Sequence, residues 1–110
     1  MATIFVQEGG SIDYIPPTDT PAGTVVVMGE LVGVVRVAIK ANKLGALAVE
    51  GIFDFPTRGD MDWTDGQRIY WMVGEQLATG EAGEEFKYIG KLVNANPRPG
   101  LAYIRVRMSQ

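Results

Sequence analysis

The chain has 110 residues, of which 46% are hydrophobic and 21% charged, and its formal net charge is −3. This length suits one domain, and the composition is typical of a globular protein and too apolar for a disordered one. Because the chain contains no Cys and no His, thiol nucleophiles, Ser-His-Asp triads, disulfides and zinc sites built from imidazole and thiolate are excluded.

The N-terminal third of the chain is its acidic part. Residues 1–35 carry no base and four acids: Glu8, Asp13, Asp19 and Glu30. The first residues, MATIFVQEGG, have neither a basic segment nor a long apolar run, so they do not predict a signal peptide. No apolar stretch approaches the roughly 20 residues of a membrane-spanning helix, and a negative net charge disfavours nucleic-acid binding. We therefore expect neither a membrane nor a nucleic acid as partner.

Short apolar segments with period-two alternation, separated by Gly, Pro, Asn and Asp, predict strands and turns. The predicted strands are residues 3–7, 11–15, 24–28, 31–39, 46–55, 67–72, 86–93 and 101–108. One segment, VGEQLATGEAGEE (73–85), is a weak helix candidate because it contains three glycines. Together the strands predict one all-β domain over residues 1–110, either a small barrel or a sandwich, with short Gly- and Pro-rich turns.

The loop GDMDWTDG (59–66) combines three aspartates with a tryptophan. An EF-hand calcium loop beginning at Asp60 would need suitable residues at Thr64, Asp65 and Trp71, and the match fails at all three. Asp and Gly are also what tight turns select. The loop is therefore predicted to be an exposed turn between strands, with a metal site as the alternative.

Three aromatic residues near this loop raise the possibility of a sugar-binding platform. Tyr70 and Trp71 are adjacent on a predicted strand, so their side chains face opposite sides of the sheet and at least one should lie in the core. Trp63 lies in the loop itself. It is either a contact residue, since Trp is frequent at interface anchors, or a lid over one end of the core.

The sequence contains no site that requires an enzyme. Gly90-Lys91 is the only Gly-Lys pair, and the residues around it do not match a phosphate-binding loop. No pair of carboxylates stands out by its spacing. We therefore predict no enzymatic activity, no cofactor and no metal. On the last predicted strand Arg105 and Arg107 share one face, which is either solvated or meets an acidic partner.

The order of several short motifs resembles one family over nearly the whole chain. The motifs are FVQEGGSIDYIPP (5–17), GELVGV (29–34), LAVEGIFDFP (47–56), WTDGQRIYW (63–71), YIGKLV (88–93) and IRVRM (104–108). Their order and spacing are similar to those of the capsid cement, or head decoration, proteins of tailed phages and prophages. The chain departs from that pattern in the charged loop PTRGDMD (56–62) and in the arginines of its last strand.

The resemblance implies a non-enzymatic protein that binds the outside of an assembled phage head. Its partners would be the major capsid protein and further copies of itself in a homotrimer, which reinforce the shell against internal DNA pressure. Synthesis would take place in the host cytoplasm and the final location would be the virion surface. Two alternatives are a carbohydrate-binding module displayed on the virion and a nucleotide-dependent phage recombinase, a name sometimes attached to this family.

The N-terminal residues 1–9 form a possible docking arm. Ile4, Phe5 and Val6 are apolar and favour burial, whereas a terminal segment is poorly anchored unless it is tied down. The arm would add a strand to the shell or to a neighbouring subunit. In the alternative interpretation it is the first strand of the domain's own sheet. The complete set of predicted capsid or subunit contacts is Ile4, Phe5, Val6, Tyr14, Trp63, Arg105 and Arg107.

Overall fold

A computed structural model describes residues 10–58 and 62–109. These residues form strands and no helix. In chain order the strands are β1 (Ser11–Tyr14), β2 (Val25–Met28), β3 (Leu31–Val35), β4 (Gly45–Ala48), β5 (Gly51–Pro56), β6 (Arg68–Met72), β7 (Leu77–Thr79), β8 (Phe86–Asn94) and β9 (Tyr103–Met108). Within the described part of the chain, no helix is therefore long and apolar enough to cross a membrane.

The strands form two antiparallel sheets. The four-stranded sheet has the order β1-β4-β3-β2, and the five-stranded sheet has the order β5-β9-β8-β6-β7. The outer strands of the larger sheet, β5 and β7, approach each other at one bridge between Thr57 and Ala78. The sheets do not close into a barrel. The prediction of an all-β fold is therefore confirmed, and of the two architectures the structure is the sandwich.

The main core lies on the inner face of the five-stranded sheet. Its buried side chains come from all five strands of that sheet and from β3: Val34, Phe55, Ile69, Trp71, Ala78, Ile89, Leu92, Ile104, Val106 and Met108. Val25 and Val27 of β2 pack against it, and the rings of Phe55 and Trp71 meet edge to face at 5.9 Å. Burying each large apolar side chain contributes about 1.5–3 kcal/mol, so this cluster accounts for most of the hydrophobic stabilisation.

A smaller cluster lies on the opposite face of the four-stranded sheet. Val35, Ile39 and Leu47 are buried in it. Alternation along β2 explains the arrangement, since Val25 and Val27 face the main core while Val26 packs in this second cluster. The four-stranded sheet is thus apolar on both faces.

Three of the predicted elements are corrected by the structure. The predicted strand 46–55 is two strands in different sheets, because Gly51 takes a φ of 129° that an L side chain rarely adopts and the chain turns there. The predicted strand 31–39 ends at Val35, and only Ile39 bridges back, to Thr20. The helix candidate 73–85 is wrong, because Leu77–Thr79 pairs with β6 as a strand. The predicted strand 3–7 lies outside the described residues.

Candidate contact surfaces

The outer face of the five-stranded sheet collects the charged residues of β9. Ile104, Val106 and Met108 are buried, so the alternation of the strand places Tyr103, Arg105 and Arg107 on the outside. Register then decides what lies beside them. Arg105 is opposite Asp54 of β5, and Arg107 is opposite Lys91 of β8. The two arginines singled out from the sequence therefore have different neighbours.

Asp54 is the centre of an ion-pair cluster on this face. The Arg105 guanidinium donates to both of its carboxylate oxygens, from Nε at 2.8 Å and from Nη2 at 3.3 Å. Arg98 donates from Nε at 3.0 Å and also lies over the Tyr103 ring, 5.3 Å from its centroid. The hydrogen bond from Arg105 holds the pKa of Asp54 below its ordinary value, although burial opposes this, and the carboxylate raises the pKa of Arg105. Arg105 is thus engaged within its own chain.

Arg107, Lys91 and Arg68 form what we call the basic row. Arg107 is the register partner of Lys91, and Lys91 is the register partner of Arg68, so three cations cross β9, β8 and β6 side by side. All three are exposed, and none forms an ion pair with another described residue. Like charges directly opposite on a sheet are destabilising. The row therefore destabilises the sheet in the isolated chain, and an anionic group that approached it would remove that cost.

A second candidate surface is an open groove beside the connection from β3 to β4, with a volume of about 680 Å³. We call it the β3–β4 groove. Val37 and Leu44 line it and are 77% and 66% exposed, the largest exposures among the large apolar side chains of the described residues. Three basic residues, Arg36, Lys40 and Lys43, line it as well. Of these, Lys40 approaches Asp19 at 3.9 Å, a distance at which two exposed groups attract each other weakly.

The predicted contact residues are distributed over several parts of the molecule. Tyr14 is half-buried against the smaller cluster, and Trp63 is half-buried against the main core. Arg105 and Arg107 share the outer face of the larger sheet. Ile4, Phe5 and Val6 lie outside the described residues. Of the aromatic pair, Trp71 is in the core and Tyr70 is on the outer face, where its ring meets that of Tyr88 at 5.7 Å.

Sequence reasoning missed two features of these surfaces. Lys91 and Arg68 join Arg107 only through the pairing of three strands that are distant in sequence, and a single sequence gives no register between such strands. The sequence does not predict the β3–β4 groove, because it predicts residues 36–39 as the end of a strand. The base Arg36, directly after the apolar segment that ends at Val35, is the signal that could have marked the end of the strand.

The acidic loop was predicted to be exposed, and its described part agrees. Asp62 and Asp65 are exposed, and the loop closes through hydrogen bonds between Thr64 and Gln67 in both directions. Asp60 lies outside the described residues. Among the residues that the structure describes, no three His, Cys, Asp or Glu side chains are grouped closely enough to hold a metal ion.

Comparison with known proteins gives one match. The model of a family described as phage cement protein matches residues 6–108. Neither a curated protein nor a solved structure matches the chain.

Proposed function

Because this chain belongs to the phage cement protein family, we propose that it binds the outer surface of a phage head and stabilises the assembled shell. The observation that carries this proposal is the extent of the family match, which includes both sheets and every described strand. Family membership supports a structural, non-enzymatic role in the phage capsid. We further propose the major capsid protein as partner and the host cytoplasm as the place of synthesis.

The protein acts as a homotrimer in this proposal. A single domain of 110 residues offers a limited contact area to the shell. Three copies joined in one rigid unit bind several shell sites at once, and each further site is then reached at a high effective concentration. Copies bound across neighbouring capsid subunits hold those subunits together, because binding to the assembled state stabilises it by mass action.

The β3–β4 groove is the proposed contact with the shell. Scattered exposed apolar residues are ordinary on a protein surface, but Val37 and Leu44 line one concave groove together with three basic residues. Apolar groups at the centre of a contact with charged groups around them are the usual anatomy of a protein interface. Residues 1–9 would add to this contact as a docking arm. The described chain begins beside the groove, since Gly10 lines a shallow depression that shares Ser11, Arg36 and Ala46 with it.

Co-sedimentation with purified capsids tests the proposal. The unmodified protein should sediment with mature capsids and should raise the temperature at which they release their DNA. Leu44→Asp should weaken capsid binding at least about tenfold, because loss of an apolar anchor at the centre of an interface costs about 2 kcal/mol or more. Leu101→Asp is the matched control, since Leu101 is 58% exposed and does not line the groove.

Two results would count against this assignment. If the unmodified protein failed to sediment with the correct mature capsid, the cement role itself would be wrong. If Leu44→Asp and Leu101→Asp bound alike while both remained folded by circular dichroism, the role would stand and the groove would not be the contact.

A further inference from the structure

The basic row occupies a small part of the outer sheet face, where Arg68 and Lys91 line an open depression with Tyr70 and Tyr88. Neighbouring strands lie about 4.8 Å apart, so the three side chains of Arg107, Lys91 and Arg68 start within about 10 Å of one another. Ile52, which is 60% exposed, is the register partner of Arg107 and continues the row on β5. The surface therefore presents three adjacent positive charges next to one apolar side chain.

The chain does not neutralise this charge with its described residues. On the same face Asp54, two residues along β5 from Ile52, is already held by Arg98 and Arg105. None of the three cations of the basic row has an ion pair with a described acid. Since like charges in register destabilise a sheet, an external anionic group would remove a cost that the isolated chain carries.

The chain itself provides an acidic segment of matching charge and size. The connection from β7 to β8, residues 80–85, contains Glu81, Glu84 and Glu85, all exposed. None of them forms an ion pair with a described residue, so this acidic connection does not meet the basic row within one copy. Glu84 and Glu85 lie in a turn closed by the hydrogen bond from the Phe86 amide to the Gly83 carbonyl oxygen, so the connection is compact and its three carboxylates lie on one short segment that can face a row of about 10 Å.

We propose that the basic row of one copy binds the acidic connection of a second copy. Because the two surfaces differ, the contact can repeat head to tail, and such heterologous contacts form a closed ring when the rotation between copies is right. This inference deepens the proposed function and rests on it for the homotrimer. A nucleic acid is a weaker candidate for the row, because three cations neutralise only a few phosphates and the net charge of the whole chain is −3, which opposes the approach of a polyanion.

A charge exchange within one chain tests the contact. The oligomeric mass would be measured by light scattering over a range of concentrations, at low salt, for four proteins: the unmodified chain, Lys91→Glu, Glu84→Lys, and the chain carrying both changes. Each single change should raise the dissociation constant at least about tenfold, because it places like charges together. The double change should restore most of the association, since it exchanges one charge between the two surfaces and leaves the net charge of the chain unchanged. Added salt should weaken the association of the unmodified chain.

The control is Asp65→Lys, which makes the same charge change as Glu84→Lys at an exposed acid of the loop between β5 and β6 and should leave the mass unchanged. The inference is overturned if the unmodified chain is a monomer at every concentration, if the double change does not restore association, or if Asp65→Lys is equally damaging. Binding of a duplex oligonucleotide that is lost in Lys91→Glu would instead assign the row to phosphate groups.

Capsid co-sedimentation of the same proteins separates the two proposals. If the unmodified chain sediments with capsids but the charge exchange fails to restore association, the cement role stands and this contact is wrong. If the charge exchange behaves as expected but no protein sediments with capsids, the contact stands and the proposed function is wrong.

Discussion

At the scale of single residues, Asp54 stabilises the fold in a way that depends on pH. Its carboxylate accepts hydrogen bonds from Arg105 and Arg98, and its pKa in the folded protein is below the ordinary 3.8. A carboxyl with a depressed folded pKa contributes stability above its unfolded pKa and loses it as the pH falls through the folded value. Asp54→Asn should therefore lower the free energy of unfolding at neutral pH by about 1 kcal/mol. This loss is small for two ion pairs, because the arginines are partly exposed and water screens their charge.

Urea unfolding at pH 7 and at about pH 3 measures this effect. The difference between the unmodified protein and Asp54→Asn should shrink at the lower pH, because below the ordinary carboxyl pKa of 3.8 the unfolded chain takes up a proton that the folded Asp54, with its depressed pKa, binds less readily. Asp62→Asn, a change of the same kind in an exposed loop, should have little effect at either pH. A difference that stayed constant with pH would mean that charge is not the source of the stabilisation.

Gly90 is a position where the fold leaves no room for a side chain. It pairs with Met108 and Ile69 in the middle of the five-stranded sheet, and a Cβ placed on it would overlap the carbonyl oxygen of Arg107. Backbone cannot move aside as a flexible side chain can, so Gly90→Ala should cost about 1–3 kcal/mol or more. Gly74→Ala, where a Cβ would meet nothing within 4 Å, should change stability by less than about 0.5 kcal/mol. Thermal unfolding of both variants checks the contrast.

At the scale of elements, the sequence predicted strands well where burial is one-sided. The alternation of β9 identified its buried and exposed residues because one face packs in the core. The prediction of strands from the sequence was wrong at the junction of β4 and β5, because an apolar segment continues across Gly51 while the chain passes from one sheet to the other. It also missed β7, whose three residues are too few to show a period. Contacts between residues distant in sequence decide which strands pair, and this pairing places the three cations of the basic row side by side.

The acidic loop between β5 and β6 is expected to bind no calcium. Its spacing departs from the calcium template, and its described carboxylates are exposed. Calcium should therefore leave the melting temperature unchanged, whereas any ligand that binds the native state alone must raise it. An increase that grew with the calcium concentration and disappeared in Asp62→Asn would show that the loop is a metal site.

The edges of the larger sheet are joined at Thr57. Its buried hydroxyl donates to the Ala78 carbonyl oxygen at 2.7 Å, at the one bridge between β5 and β7. Thr57→Val removes the donor and leaves a buried carbonyl with one partner fewer, so it should cost about 1–2 kcal/mol. Thr24→Val is the control, because its equivalent bond to Pro21, also 2.7 Å, is exposed. Equal losses in the two variants would mean that burial of the Thr57 bond has no special effect.

At the scale of the whole molecule, deletion of residues 2–9 separates the two interpretations of the N-terminal segment. If the segment is a docking arm, the truncated protein should remain folded, with an unchanged far-ultraviolet spectrum and melting temperature, while its capsid binding falls at least about tenfold. We expect this result, since the proposed function uses the segment as a docking arm. Unfolding of the truncated protein would assign the segment to the domain's own sheet. A folded protein with normal capsid binding would show that the segment has neither role.

The position of β9 has a consequence for the order of events on the ribosome. This strand is the last of the nine described strands in sequence, yet it lies between β5 and β8 in the larger sheet. The described strands of the four-stranded sheet lie within residues 11–48, so they are available for pairing while synthesis continues. The larger sheet stays divided, with two unpaired strand edges, until Tyr103–Met108 has emerged from the exit tunnel. Stalled or shortened chains therefore expose strand edges that invite aggregation, and a nascent chain acquires its main core only after β9 has emerged.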